Sequence, residues 1–293
     1  MKSNKHDRMA SSHVTGFVSV SSTSNIRLYY SVDGPLDASR KIIVLSNSLA
    51  ATTHLWDDLT SVFDKEYSII RYDMRFHGQS PLPTDKNFDY AAGHSMEDLA
   101  DDLIALLDHL SVRKVSLAVG LSIGAGVVLI AGARNPDRFE HVLVAGTKAR
   151  APPGADALYD ARIEFGRENG SFALGQQSVR RWFPEEWIRE NPEKAATIER
   201  IVGGQSMSGF TASAAALRQL DLWPIVRHIG ARGDGSRFTF VAGEHDSDIP
   251  QDSALLANAS GSNVVIIKNA GHIVHIQQPE VIYGIIKKTL NNA

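Results

Sequence analysis

The sequence predicts an α/β protein with a mostly parallel eight-stranded sheet, helices on both faces of the sheet, and a helical cap inserted after the sixth strand. Short runs rich in β-branched residues alternate with longer segments of helical periodicity, which is the pattern of parallel strands joined by helices. About ninety residues lie between Gly146 and Phe238, several times the usual length of one connection. This surplus predicts the cap.

The eight strands are short and apolar, and the first two are expected to form an antiparallel pair. They are predicted at residues 13–20, 26–32, 41–45, 67–72, 114–119, 141–145, 237–242 and 264–267. The helices of the core are predicted at residues 95–110, 123–133, 250–259 and 279–290. The first of these has a helix-start signal at Ser95, followed by leucines at helical spacing.

The long insertion resembles a set of amphipathic helices that lie over one end of the sheet. It opens on Pro152-Pro153-Gly154 and carries the aromatic residues Phe165, Phe172, Trp182, Phe183, Trp187, Phe210 and Trp223. We therefore expect a core formed by residues 1–147 and 230–293 and a cap formed by residues 148–229.

Composition excludes several classes of partner and site. The formal net charge is -3, with 30 basic and 33 acidic side chains mixed along the chain, so no basic stripe for nucleic acid is present. The chain has no cysteine, which excludes disulfides, thiolate metal sites and a cysteine nucleophile. No apolar run approaches the roughly 18 residues of a membrane helix.

The N-terminal residues are polar and lack the apolar stretch of a secretory signal. We therefore expect a cytoplasmic protein without a membrane partner, in which residues 1 to 12 form a loose tail. The sequence leaves open whether Met9 is the true start, and it does not indicate the oligomeric state.

The segment Gly120-Leu121-Ser122-Ile123-Gly124 carries the strongest chemical signal. A Gly-x-Ser-x-Gly match is weak by itself, but this one lies between an apolar strand and a helix of small residues, which is the context of a nucleophile elbow. The glycines leave room for a strained serine whose hydroxyl points away from the sheet. Ser122 is therefore the predicted nucleophile, and a glycine-rich turn with a helix-capping serine is the alternative.

A serine hydroxyl needs a base to take its proton, and histidine is the usual base. In proteins with a nucleophile elbow of this kind, the triad follows the order serine, acid, histidine along the chain. This order favours His272, directly after the last strand. His275 would face elsewhere if the chain turns into a helix there.

The acid should follow the strand after the cap, where the chain carries Glu244, Asp246 and Asp248. We predict Asp246, with the other two as competitors. His245, Asp246 and Asp248 also resemble a metal site, but no second well-spaced group follows, so no metal is expected.

The oxyanion of an acyl transfer needs two backbone N–H donors. Ile123, the residue after the serine, is the first predicted donor. The loop after the third strand, Leu45-Ser46-Asn47-Ser48-Leu49, should supply the second, and alignment on Trp56 indicates Ser48.

Three segments together resemble the 3-oxoadipate enol-lactonases of the α/β-hydrolase superfamily: the loop at residues 45–49, the stretch at residues 71–80 and the elbow at residues 120–124. The likeness covers nearly the whole chain after residue 20, and it includes Thr147-Lys148-Ala149-Arg150 and Arg181-Trp182-Phe183 in the cap. It implies the α/β-hydrolase fold and lactonase-like chemistry. Ala50, Phe76 and Ala125 stand where the resemblance implies glycine.

The resemblance also indicates residues that bind substrate. Arg150 matches an arginine of the lactonases, and a guanidinium can bind a carboxylate by two parallel hydrogen bonds. Trp182 is expected to form a roof over the apolar part of the substrate. The bulky ring of Phe76 is expected to reshape the mouth of the pocket.

These residues predict hydrolysis of a small ester or lactone, with a carboxylate on the substrate, through an acyl-enzyme and without a cofactor. The same triad suits carbon–carbon bond hydrolysis or a perhydrolase-like reaction, because the fold does not choose among them. A non-catalytic ligand receptor with the same pocket is the alternative from another class. Its mark would be a broken triad, whereas all three positions are intact here.

Overall fold

The computed structural model describes residues 13–21, 25–37 and 39–291. The predicted N-terminal tail, with the alternative start at Met9, lies outside the described residues. Within this part of the chain, helices and strands alternate in the order that the sequence predicts.

A single sheet of eight strands runs through the described residues, in the order β1-β2-β4-β3-β5-β6-β7-β8. β1 pairs with β2 and β2 with β4 in antiparallel fashion, and all other neighbours are parallel. The strands are β1 His13–Ser21, β2 Ile26–Asp33, β3 Ile42–Ser46, β4 Ser68–Tyr72, β5 Val115–Leu121, β6 Phe139–Ala145, β7 Phe238–Gly243 and β8 Asn263–Ile267. The predicted fold class is confirmed.

Helices cover both faces of the sheet. Before the cap they are α1 Asp57–Phe63, α2 Met96–His109 and α3 Ile123–Arg134, and after it α10 Ile249–Ser260, α11 Val274–Gln277 and α12 Pro279–Asn291. α2 begins at the predicted signal, because the Ser95 hydroxyl accepts from the Asp98 N–H while the Asp98 carboxylate accepts from the Ser95 N–H. Among the helices at residues 13–21, 25–37 and 39–291, none combines the length and the apolar character that a membrane span requires.

The six helices between β6 and β7 account for the long insertion. They are α4 Ala155–Asn169, α5 Ser171–Trp182, α6 Glu185–Glu190, α7 Pro192–Gly203, α8 Met207–Arg218 and α9 Trp223–Arg232. α4 packs against α5 and α8, and α5 packs against α7. The predicted boundary at residue 229 lies within α9, which packs against α3 and α10 of the core.

The sheet brings the predicted site residues together at the carboxyl-terminal end of its central strands. β3, β5, β6 and β7 are parallel neighbours, so the loops that follow them meet at their carboxyl ends, where parallel α/β sheets bind ligands. Four segments lie at this end of the sheet: the elbow, the loop at residues 46–50, the start of the cap and the carboxylates after β7.

Candidate active site

Ser122 occupies a sharp turn between β5 and α3. Its backbone has φ 59° and ψ -118°, a positive φ that an L-residue adopts at a cost of about 1–3 kcal/mol. The turn is held by the Ser122 N–H, which donates to the Ala145 carbonyl of β6 at 2.8 Å. This is a strained strand–turn–helix connection with the serine at its apex.

The two motif glycines permit this turn because they let backbones approach closely. A Cβ on Gly120 would lie 2.1 Å from the Gly124 carbonyl oxygen, and a Cβ on Gly124 would lie 2.4 Å from that of Ser46. No heavy atoms pack at such distances. The spacing of the motif therefore has a direct steric cause.

Asp246 and His272 form a hydrogen-bonded pair beside the elbow. The Asp246 Oδ2 and His272 Nδ1 atoms are 2.8 Å apart, and each side chain is only 12% exposed. Because a carboxylate accepts, Nδ1 carries the proton and Nε2 is free to take another. Ser122 and His272 line the same cavity, and among the described residues no hydrogen bond joins the hydroxyl to the imidazole.

The two competing carboxylates have other partners. Asp248 forms an ion pair with Lys148, and that contact, with burial opposing it, lowers the pKa of the Asp248 carboxyl. The Glu244 carboxylate accepts from the Asn269 N–H at 3.2 Å. Of the three candidates, Asp246 is thus the one whose carboxylate contacts His272.

Trp182, at the end of α5, lies against the histidine. Its carbonyl accepts from the His272 N–H at 2.9 Å, and the two rings stack with centroids 5.9 Å apart and planes 25° apart. Trp182 also lines the cavity. The Trp182 ring thus lies nearly parallel to the imidazole and beside the same cavity.

His275 faces away from the cavity, as its predicted helical position requires. Its ring stacks on Trp56 at 4.2 Å, and Nε2 donates to the Leu55 carbonyl at 3.0 Å. Burial lowers the pKa of His275 to about 4. It is a neutral histidine of the core.

The loop after β3 is fixed by Asn47. Its amide donates to the Tyr72 carbonyl at 2.7 Å and accepts from the Trp56 indole at 2.6 Å. Ser48 and Leu49 follow on the cavity wall. Ile123 is the first residue of α3, a position whose N–H has no partner within the helix.

The cavity has a volume of about 450 Å³ and a cationic wall. Lys148 and Arg150 line it near the start of the cap, and Arg162 and Arg181 line it from α4 and α5. The Arg150 side chain is 62% exposed, with the Asp221 carboxylate 4.0 Å away. Sequence reasoning assigned no role to Arg162 or Arg181. The segment at residues 181–183 was the one available signal.

Phe76 does not line this cavity, and the expected contact with substrate needs correction. Its side chain is 3% exposed and packs edge-on against Phe88 at 5.1 Å and Tyr90 at 5.8 Å. The ring is covered by the segment at residues 88–94 and by α8. It therefore belongs to a separate cluster rather than to the pocket mouth.

This fold and site define an α/β hydrolase. Residues 43–284 match the sequence model described as the alpha/beta hydrolase family, so the chain belongs to that family.

Its relatives include enol-lactonases, as the sequence resemblance predicted. The chain is 27% identical to 3-oxoadipate enol-lactonase 2 of Acinetobacter baylyi over 257 residues, which cover 87% of this chain and 90% of that protein. The crystal structure of the enol-lactonase from Burkholderia xenovorans LB400 superposes with a TM-score of 0.81 at 26% identity, over 94% of this chain and all of that one. A hydrolase from Pseudomonas aeruginosa PA01 also gives a TM-score of 0.81, at 25% identity, over 94% of this chain and 98% of that one.

Proposed function

We propose that this hydrolase cleaves a small ester or lactone through an acyl-enzyme on Ser122. The observation that carries the proposal is the Asp246–His272 hydrogen bond, which lies beside a strained serine in a shared cavity. A hydroxyl becomes an effective nucleophile when a base is oriented to take its proton, and a third group that holds the base completes the arrangement.

The reaction proceeds in two balanced halves. His272 Nε2 takes the Ser122 proton as Oγ bonds to the carbonyl carbon, and the oxyanion accepts from backbone N–H groups. His272 then gives that proton to the leaving alkoxide as the carbon–oxygen bond breaks. In the second half, water loses a proton to His272, attacks the acyl carbon and releases Ser122 with its own proton restored. No cofactor takes part.

The oxyanion donors in this proposal are the N–H of Ile123 and an N–H of the loop after β3. The N-terminal position of Ile123 in α3 supports the first. Ser48 is the proposed second donor. Leu49, which lines the same wall, is an alternative within one residue.

The proposed substrate carries a carboxylate. Four cationic side chains line the cavity together with the two carboxylates of Asp246 and Asp248, and this excess of positive charge favours an anionic group on the substrate. Arg150 and Trp182 remain proposed contacts. Two of the compared proteins are named as enol-lactonases, which favours a lactone within the ester class.

The test is Ser122→Ala, assayed on 4-nitrophenyl esters and on γ- and δ-lactones in a pH-stat. Turnover should fall by a factor on the order of 10³ to 10⁶ with the fold unchanged, because loss of a triad member leaves only background catalysis. Ser61→Ala, an exposed serine of α1, is the matched control and should retain full activity. Retention of more than a tenth of the activity by Ser122→Ala would contradict the proposal.

A further inference from the structure

Two arginines face the cavity from the cap helices. Arg181 lies near the end of α5, directly before Trp182, and Arg162 lies on α4. Both line the cavity that holds Ser122 and His272. The Asp246 carboxylate, which contacts His272, also interacts with the Arg181 charge, so Arg181 lies on the histidine side of this cavity.

Neither guanidinium has an anionic partner within the described chain. Arg181 makes no hydrogen bond or ion pair there, and its guanidinium carbon lies 5.8 Å from the centre of the Trp182 ring. Arg162 makes no ion pair there and lies over the Tyr159 ring at 5.3 Å. By contrast, Lys148 pairs with Asp248 and Arg150 has Asp221 within 4.0 Å.

The surroundings make the Arg181 charge costly. The side chain is accessible because it faces the cavity, but the protein around it excludes much of the bulk water. This desolvation, and then repulsion from Arg162, lower the pKa of Arg181 to about 10. Arg181 is thus repelled by Arg162 and attracted by the Asp246 carboxylate. That carboxylate already contacts His272, and no ion pair joins it to Arg181 among the described residues.

We infer that Arg181, with Arg162 beside it, is the specificity-determining pair that binds an oxyanion group of the substrate, a carboxylate or a phosphate. A partly desolvated cation without a partner is unfavourable, and an anionic ligand group relieves that cost. A planar guanidinium can hold such a group by two parallel hydrogen bonds. Arg181, rather than Arg150 with the Asp221 carboxylate 4.0 Å away, then gives the substrate its orientation. This inference rests on the proposed function.

The kinetic test uses an anionic and a neutral substrate with the same 4-nitrophenyl ester, mono-4-nitrophenyl glutarate and its methyl ester, which differ by one methyl group and the charge that it removes. Arg181→Gln should lower kcat/KM for the anionic substrate by about 10- to 1000-fold and change the neutral one by less than about threefold, because remote binding energy also appears in catalysis. Arg180→Gln is the matched control, since Arg180 is an exposed neighbour on α5 that does not line the cavity. It should leave both constants unchanged.

The outcomes separate the arginines. Equal losses on both substrates, or a larger selective loss with Arg150→Gln than with Arg181→Gln, would overturn the inference. Arg162→Gln should give a smaller loss with the same selectivity, and it serves as the second variant if Arg181→Gln does not fold.

A binding measurement works without catalysis. Calorimetry on the Ser122→Ala protein, with glutarate and with propyl phosphate as probes, distinguishes carboxylate from phosphate. When Arg181→Gln is combined with Ser122→Ala, the affinity for the tighter-binding probe should fall at least about tenfold. Combining Arg180→Gln with Ser122→Ala should leave that affinity unchanged. If neither probe binds, or if Arg181→Gln has no effect, the inference fails. If Ser122→Ala still hydrolyses esters, the proposed function fails, and the calorimetry still reports whether the anion site exists.

Discussion

Replacing Asp246 by asparagine should remove most of the catalytic rate while leaving the fold in place. The Asp246 carboxylate contacts His272 at 2.8 Å, and both side chains are largely shielded from water. When the imidazole gains a proton in the transition state, the pair becomes ionic. Two unit charges about 4 Å apart near a protein surface interact by about 4 kcal/mol, which corresponds to about a thousandfold in rate. An amide supplies no such charge and can also hold the wrong tautomer.

Asp248→Asn is the matched change two residues away. Asp248 is 61% exposed and pairs with Lys148, and an exposed ion pair of this kind contributes about 0–1 kcal/mol. Activity should therefore change by less than about fivefold.

The assay is kcat/KM for 4-nitrophenyl butyrate and for a γ-lactone, with thermal melting as the control for folding. The ratio between the two variants should be on the order of 10² or more. Equal losses, or a greater loss with Asp248→Asn, would refute the assignment of the acid and the electrostatic reasoning behind it.

Two further predictions concern stability. Gly124→Ala should abolish folding or lower the free energy of unfolding by more than about 3 kcal/mol, because its Cβ would collide with the Ser46 backbone. The control Gly284→Ala lies on an open face of α12 and should stabilise the protein by up to about 1 kcal/mol. Urea unfolding measures both variants, and a tolerated Gly124→Ala would contradict the elbow geometry. The second prediction concerns His275, whose pKa burial lowers to about 4. As the pH falls below 6.5, the histidine takes up a proton in the unfolded chain but stays neutral in the folded protein. The stability that is present above pH 6.5 is therefore lost as the pH falls toward 4. Between pH 6.5 and 5 this loss should reach about 1.5 kcal/mol, and His275→Phe should lack it. An unchanged pH slope in that variant would rule out His275 as the cause.

The fold was predictable because its signals are local. Each strand is a short apolar run bounded by turn residues, and the predicted bounds differ from the observed ones by one or two residues. Ser95 and Asp98 cap α2 through their own backbone neighbours. The six helices of the insertion could be predicted only as a group, since their ends depend on packing between α4, α5, α7 and α8.

In the candidate site too, residues with a local signal were predictable from the sequence and residues brought in by tertiary packing were not. The strain at Ser122 follows from five consecutive residues. The order of residues in the chain indicated His272 and a group of three carboxylates, and the structure brings Asp246 of that group against His272. Arg162 and Arg181 could not be predicted, because the two helices that carry them meet the cavity only through tertiary packing. The catalytic roles of Ser122, Asp246 and His272 and the binding roles of the two arginines remain predictions.

Two of the three departures from the glycines that the resemblance implies have a positive φ in the structure, whereas Ala125 does not. Ala50 has φ 59° and Phe76 has φ 65°, in the left-handed region where glycine pays no steric penalty and other residues pay about 1 kcal/mol or more. At Phe76 the ring offsets this cost by packing with Phe88 and Tyr90. The sequence showed the substitution but not the direction in which the ring points.

The central claim, an acyl-enzyme on Ser122, is tested most directly by trapping the covalent intermediate. The folded enzyme is treated with a fluorophosphonate probe or acid-quenched during turnover of a 4-nitrophenyl ester, then digested with trypsin and fragmented in a mass spectrometer. Ser122 lies in the peptide at residues 115–134, which also contains Ser116, so fragmentation must separate the two serines. We predict an adduct on Ser122 that forms in step with loss of activity and is absent from Ser122→Ala. Full turnover with no adduct on Ser122, or inactivation by labelling of another residue, would contradict the account.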